Sequence, residues 1–338
     1  QHEPMMEGFR AGFERVVGSS GFILGPEVEA FEKEYAEWCG AKYCVGVSNG
    51  LAAISIMMIA AGIKECDEVL VPSNTYIASV MGVEHANAVP ILVEPNPRTH
   101  VITADACRKA ITPKTKAILV VDLYGLLPDF DEINALCAEK GLLLFSDSAQ
   151  SHGANYKGKR PGNTCMASSF SFYPGKNLGA LGDAGGIVTN SKEVYDTAKI
   201  MRNYGSEKKY YNMMKGRNER LDPMQAAFLR VKIPYMDQYN ARRHVIAGMY
   251  TAGLKGVSAV RTPEIVLGVT PVWHQYVIQL RSDQERSALM KFLDEKGIFT
   301  MIHYPIPPHL QEAYKDLGKV KGDLPICEEL AETILSLP

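Results

Sequence analysis

Short apolar runs recur through the first half of the chain, with helix-like stretches between them. They are YCVGV at 43–47, VLVP at 69–72, PILV at 90–93, AILVV at 117–121 and LLLF at 142–145. Runs this short, rich in Val, Ile and Leu and without polar alternation, read as strands buried on both faces. Gly25-Pro26 opens a helix whose Val28, Phe31, Tyr35 and Trp38 form one apolar stripe, and Gly40 ends it. Another helical pattern, DFDEINALCAEK at 129–140, runs up to Gly141. Strands alternating with helices predict an α/β layered fold around a mostly parallel sheet.

After about residue 222 the pattern changes. A long helix-prone stretch over 222–254 leads into WHQYVIQL, DQERSALMKFLDEKG and IFTMIHY, which predict strand, helix and strand around 271–304. We expect a large domain over 1–235 and a smaller C-terminal α+β domain over 236–338, a division natural for a chain of 338 residues.

Composition narrows the function classes. Hydrophobic content of 46% with 22% charged residues is ordinary for a globular protein, and a net charge of −2 gives no reason to expect nucleic acid or an acidic membrane surface. The run LAAISIMMIAAGI at 51–63 is shorter than the roughly 20 residues a spanning helix needs and reads as a buried helix. Seven scattered cysteines without a C-x-x-C pair point to free thiols in a reducing cytoplasm, with no metal site. No signal peptide is visible. The chain starts at Gln1 rather than Met, so a few native N-terminal residues are expected to be missing.

Chemistry concentrates at strand ends. Asp147, in SDSAQSHGA, follows the run LLLF, and open α/β sheets place ligands at the carboxyl ends of their strands; a helix-capping aspartate would occupy the same place. SNGLAAISI at 48–56 puts Ser, Asn and Gly between a strand and a helix, which suits a phosphate and equally suits a plain capped turn. PSNTYIAS at 72–79 brings Tyr76 to the same rim, either as core or as a flat face for a planar ligand. Lys176 stands in SFSFYPGKNLGALGDAGG, among glycines and aromatics with no other cation. A solvated lysine is the bland reading. Desolvation would instead depress its pKa and leave a neutral, nucleophilic amine, as imine formation with an aldehyde requires. GALGDAGG lacks the G-x-G-x-x-G spacing and precedes a strand, which excludes a nicotinamide site there; no P-loop or H-E-x-x-H motif occurs.

From GFILGPEVEAFEKEYAEWCGAKYCVGVSNG to IHYPIPPHLQEAY, and most densely in FSFYPGKNLGALGDAGGIVTN, the chain resembles the DegT/DnrJ/EryC1/StrS family of pyridoxal-phosphate-dependent sugar aminotransferases. The resemblance implies the aspartate-aminotransferase-like (type I) fold and a homodimer with its active sites at the subunit interface. It implies that Lys176 bonds the aldehyde of pyridoxal 5'-phosphate and later moves a proton. Asp147 would pair with the ring nitrogen, Gln150 would contact the ring hydroxyl, and Tyr76 would stack on the ring. Ser171 and the helix start at Gly50, Leu51 and Ala52 would take the phosphate, and Asn218 would reach the phosphate of the neighbouring subunit. Tyr173, His303 and Tyr304 would face the sugar, although a capped histidine at a strand end also explains His303. Lys208 and Lys209 would meet a pyrophosphate across the interface or lie solvated.

The sequence departs from the family pattern at three places. Leu51 stands where many members have Thr, Asp122 where His is frequent, and Ser146 where Glu is common. NGL, YGSEKKYYN and IHYPIPPHLQEAY resemble the subgroup acting on dTDP-3-keto-6-deoxyhexoses, which makes 3-amino-3,6-dideoxy sugars such as Fuc3N and Qui3N. L-glutamate is the expected amino donor. The alternatives are amination at C4 of a nucleotide sugar, a sugar 3-dehydratase, which would carry His in place of Lys176, and a regulatory protein that kept only the fold. No arginine stands out for the carboxylate of glutamate. The chain stops at LSLP where resembling chains continue into a final helix, so an incomplete small domain is expected.

Overall fold

The computed structural model describes residues 2–338. Helices α1 (Met6–Ser19) and α2 (Pro26–Cys39) come first. Strand–helix units follow: β1 (Tyr43–Val47) with α3 (Gly50–Ala60), β2 (Glu68–Pro72) with α4 (Ile77–Glu84), and β3 (Val89–Val93) with α5 (Ala104–Ala110). The series continues through β4 (Thr115–Val121), α6 (Phe130–Lys140), β5 (Leu143–Asp147) and the short β6 (Asn155–Tyr156). Next come β7 (Ala167–Ser171), β8 (Gly185–Thr189), α7 (Lys192–Met201) and a hairpin of β9 (Ser206–Lys208) and β10 (Tyr211–Asn212). The last part holds α8 (Pro223–Lys232), α9 (Met236–Gly253), β11 (Val269–Thr270), β12 (Tyr276–Gln279), α10 (Asp283–Glu295), α11 (Pro325–Thr333) and β13 (Ile334–Leu337).

The central sheet has the order β1-β8-β7-β5-β4-β2-β3. Its neighbours are parallel except at β8, which runs against both β7 and β1. All the apolar runs read from the sequence are strands of this sheet. Pro26 sits in the first turn of α2, and Gly40 caps its end with φ +72°. The run at 51–63 forms α3, which packs against α4, β7 and β8 with most of its side chains buried. Asn49 caps α3 by accepting the Ala52 N–H at 2.8 Å.

Two parts differ from expectation. The strand β7, in mid-sheet between β5 and β8, reads ASSFS and lacks an apolar run. Its serines are tolerated because they find partners: Ser168 Oγ accepts the Gly162 N–H at 2.8 Å, and Ser169 Oγ donates to the Ser146 carbonyl at 3.4 Å. The strand predicted for IFTMIHY does not form. Only Met301 makes a bridge, to Ser336, and β12 pairs instead with β13 from the end of the chain. Pro305, Pro307 and Pro308 follow directly and provide no N–H for a ladder. The stretch over 222–254 is two helices because Ile233–Tyr235, with Pro234, forms a 3₁₀ turn between them.

Apolar clusters lie on both faces of the sheet, one around α3 and α4 and another around α5 and α6. A further cluster joins Ala247 of α9 to Trp273, Tyr276, Ile278 and Leu335. Among the described residues no helix is long and apolar enough to cross a membrane.

Contact between α3 and α4 is close enough to demand glycine. A Cβ on Gly82 would fall 2.3 Å from Ile54 Cγ2, so Gly82→Ala should destabilise the protein by about 1–3 kcal/mol. Gly248, inside α9, has open space around its Cα, and Gly248→Ala should instead stabilise by about 0.5–1 kcal/mol. Urea midpoints moving in opposite directions would bear this out.

Candidate active site

The carboxyl ends of the strands carry a buried anion. Asp147 is the last residue of β5 and only 7% exposed. Ser79 Oγ, on α4, donates to its Oδ2 at 2.7 Å and shares a hydrogen bond with Thr75 Oγ1 at 2.8 Å. The Ala149 N–H donates to Oδ1 at 3.2 Å. Burial pushes the Asp147 carboxyl above its usual range, while these two donors and the charge of Lys176 act against the rise.

Lys176 lies in the turn that follows β7. Its amine is half-buried, and among the described residues no acceptor or acid bonds it. Burial lowers its pKa, and the nearby charge of Asp147 opposes the fall. The turn itself is tight. The Lys176 N–H donates to the Tyr173 carbonyl at 2.8 Å, and a Cβ on Gly179 would fall 2.4 Å from the Pro174 oxygen. The next residue, Asn177, is pinned by Nδ2 bonds to Asn240 and to the Val272 carbonyl, and its Oδ1 meets His274 Nδ1 at 3.1 Å. This lysine is thus a half-buried amine with a carboxylate nearby and, among the described residues, no hydrogen-bonded counter-ion.

A fixed histidine supports the strand beneath it. His152 Nε2 meets the Ser171 carbonyl at 2.9 Å, and its Nδ1 meets the Tyr35 hydroxyl at 2.8 Å. Its ring leans on Phe170 and Phe172. Burial, aided by the charge of Lys176, lowers its pKa to about 3 against the pull of the carbonyl, so the ring is neutral. Nε2 then donates to the carbonyl, and Nδ1 accepts from tyrosine.

The α3 start faces the end of β7. A Cβ on Gly50 would fall 2.7 Å from Ser171 Cβ, and one on Gly185 would fall 2.2 Å from the Asn49 oxygen, so only glycine lets these backbones approach. The first N–H groups of α3 have no partner within the helix. Leu51 is half-buried and Ala52 buried.

The rim is aromatic and amide. Gln150 Oε1 accepts the Tyr124 N–H at 2.6 Å, which turns its Nε2 toward the Tyr304 hydroxyl at 3.1 Å. Tyr304 tilts against Tyr76 at 5.2 Å between ring centres. Tyr124 donates its hydroxyl to the His303 carbonyl, and His303 Nδ1 meets Ser336 Oγ at 2.8 Å. A cavity of about 300 Å³ opens beside His303, with Arg243, His274 and Gln275 on its walls. Burial and the charge of Lys176 lower the pKa of both His303 and His274.

Not every expected residue joins this cluster. Tyr173 is 59% exposed, and Asn218 is exposed and bridges only Asn203. Lys208 and Lys209 lie on the surface over the rings of Tyr211 and Tyr210. Sequence reasoning missed Ser79, Tyr124, His152 and His274. Ser79 and His152 stand inside the stretches that drew attention, yet only their partners in space reveal what they do.

Comparison with known proteins points to one family. The pattern of the DegT/DnrJ/EryC1/StrS aminotransferase family matches residues 5–338. A dTDP-3-amino-3,6-dideoxy-alpha-D-galactopyranose transaminase of Aneurinibacillus thermoaerophilus is 46% identical over 324 residues, 96% of this chain and 88% of that protein. The crystal structure of DesV from S. venezuelae, in complex with a ketimine intermediate, superposes with a TM-score of 0.97 at 41% identity, covering 100% of this chain and 90% of that one. That of NtdA from Bacillus subtilis with bound cofactor PMP gives 0.93 at 30% identity, covering 99% and 78%. A GDP-perosamine synthase of Caulobacter vibrioides is more distant, 33% identical over 93% of this chain and 85% of that protein. The chain is a member of the DegT/DnrJ/EryC1/StrS aminotransferase family, whose enzymes work with pyridoxal phosphate.

Proposed function

We propose that this aminotransferase moves the amino group of L-glutamate onto a dTDP-linked 3-keto-6-deoxyhexose, giving a 3-amino-3,6-dideoxy sugar nucleotide. The observation that carries the chemistry is the half-buried, unpaired amine of Lys176 held near the buried carboxylate of Asp147. The sugar class and the position of amination rest on the likeness to the galactopyranose transaminase, against which the perosamine-type alternative is further off.

The residues present suit pyridoxal phosphate. The glycine-lined space between the α3 start and Ser171 is a cradle that any Cβ at position 50 would fill. Gly50 and Leu51 offer backbone N–H groups and Ser171 a hydroxyl, while the Ala52 N–H next to them is already given to Asn49; Leu51 has no hydroxyl of its own, so these donors would take the phosphate at the start of α3. Asp147 lies where an anion serves a ring nitrogen, Gln150 Nε2 offers a donor, and the half-exposed Tyr76 ring offers a flat face. When bound, the cofactor supplies an aldehyde to carry the amino group and a ring that accepts electrons.

Each side chain then has a task. Lys176, whose pKa burial lowers, would be the nucleophile that holds the cofactor by its aldehyde, and its amine would hold and return a proton beside it. Asp147, whose charged form Ser79 and Ala149 favour against burial, would hold a proton on the ring nitrogen. His303 and Tyr304 would orient the sugar, with Tyr173 on the exposed side of the site. Asn218 serves the phosphate of the neighbouring subunit in a homodimer, which its exposure in a single chain suits.

Borohydride treatment of the wild-type protein with pyridoxal phosphate should label the Lys176 peptide and no other, and Lys176→Ala should show neither label nor transamination. Ser79→Ala removes a hydrogen bond to a charged group, worth about 1.5–3 kcal/mol, and should weaken cofactor binding by roughly ten- to a hundredfold in a titration. Offered dTDP-linked 3-keto and 4-keto hexoses with glutamate side by side, the enzyme should aminate the 3-keto sugar; preference for the 4-keto sugar would overturn the substrate assignment.

A further inference from the structure

A second carboxyl group is built into the same strand ends. Asp122 directly follows β4, and its backbone N–H donates to the Asp147 carbonyl at 3.0 Å. Its side chain is fully buried, as are those of Ser146, Ser148 and Ser151. Oδ2 accepts from the Ser151 hydroxyl at 2.6 Å, whereas Oδ1 is buried with no partner among the described residues. The hydroxyls of Ser146 and Ser148 bond each other at 3.0 Å beside it. The titratable groups that face Asp122 are Asp147 and the Cys165 thiol, and among the described residues no cation pairs with it.

That arrangement suits an acid that keeps its proton. An ionised carboxylate there would set two anions on adjacent strand ends and leave one oxygen bare in the interior. A protonated carboxyl has an O–H to give to a serine oxygen and still accepts from Ser151. Burial raises its pKa to about 7; the three serine hydroxyls act against the rise, and Asp147 adds to it.

We propose that Asp122 is a positioning residue: held as a neutral acid, it ties the turn over 148–151 to the end of β4 and so fixes the groups that serve the ring of the cofactor. Ser151 hangs from its carboxyl. In the same turn Ala149 donates to Asp147, and Gln150 is oriented by Tyr124, two residues beyond Asp122. The two positions where the sequence leaves the family's frequent His and common Glu, 122 and 146, thus meet in one buried cluster. Asp147 remains the one anion at this place for as long as Asp122 is neutral.

The proposal fixes a pH dependence. The unfolded acid titrates near its usual value and the folded one near neutrality, so the stability owed to Asp122 is full in acid and falls as pH rises to about 7. Asp122→Asn cannot ionise and keeps an acceptor for Ser151; Asp122→Ala keeps neither group. In apo-protein, the Tm of Asp122→Asn relative to wild type should climb by several degrees between about pH 5 and about pH 8, while Asp122→Ala melts below both at about pH 6. In titrations with pyridoxal phosphate, Asp122→Ala should bind about tenfold more weakly and Asp122→Asn should restore the affinity. A wild type–Asn difference that stays flat with pH, or an Asn variant that binds the cofactor as weakly as the Ala one, overturns the proposal. Should the variants not fold, infrared spectra of the wild type decide: a buried carboxylic-acid band that fades through neutral pH supports it, and no such band sinks it. The inference rests on the cofactor reading only in the binding arm. If wild-type protein fails to bind pyridoxal phosphate, that reading falls while the apo-protein melting still judges Asp122.

Discussion

Asp147 is an acid taken almost fully out of water with, among the described residues, no cation bonded to it. Desolvation of this kind drives a carboxyl toward its neutral form unless hydrogen-bond donors hold the charge. Ser79 and Ala149 are those donors, and each comes from a different segment, one from α4 and one from the turn after β5. Lys176 stands in the complementary condition, an amine short of water and short of a partner. Neither group would rest stably in its useful form alone. The sheet brings them near one another at the ends of β5 and β7, so each softens the other's desolvation without quenching it.

Much of the surrounding structure exists to keep the two from relaxing. His152 anchors the end of β7 through the Ser171 carbonyl, and Tyr35 of α2 fixes its tautomer. Asn177 is bonded from three directions, so the lysine turn cannot swing out toward an acid elsewhere. Gln150 is bound at both ends of its amide, by Tyr124 and by Tyr304. These polar groups are nearly all satisfied inside the protein, the condition under which a buried network is rigid rather than costly. The unpaired Oδ1 of Asp122 is an exception at its edge.

How much of this the sequence disclosed depended on how local each signal was. The parallel strands were legible because burial on both faces leaves unbroken Val, Ile and Leu. Asp147 was legible because it ends such a run, and Lys176 because glycines and aromatics around a lone cation are an unusual setting. The family resemblance carried the fold and the cofactor, and the comparisons agree with it. The strand β7 was hidden because its serines find their partners only after β5 and the 162–166 segment are in place. IFTMIHY misled in the other direction: its apolar content reads as strand, while the prolines beyond it and the competing tail over 334–337 decide otherwise. Ser79, His152 and Asp122 were opaque because their partners lie tens of residues away in the chain.

The reversed strand β8 has a consequence for how the molecule comes into being. In the main sheet β1 hydrogen-bonds only to β8, so residues 43–47 find no place in it until residues 185–189 exist. On a ribosome the opening strand leaves the tunnel long before its partner has been synthesised, and this long-range pairing is the slow kind. The cleft between Gly50 and Ser171 closes only when β1 has docked. An incomplete nascent chain therefore lacks that space, which is whole only once the central layer has been zipped shut.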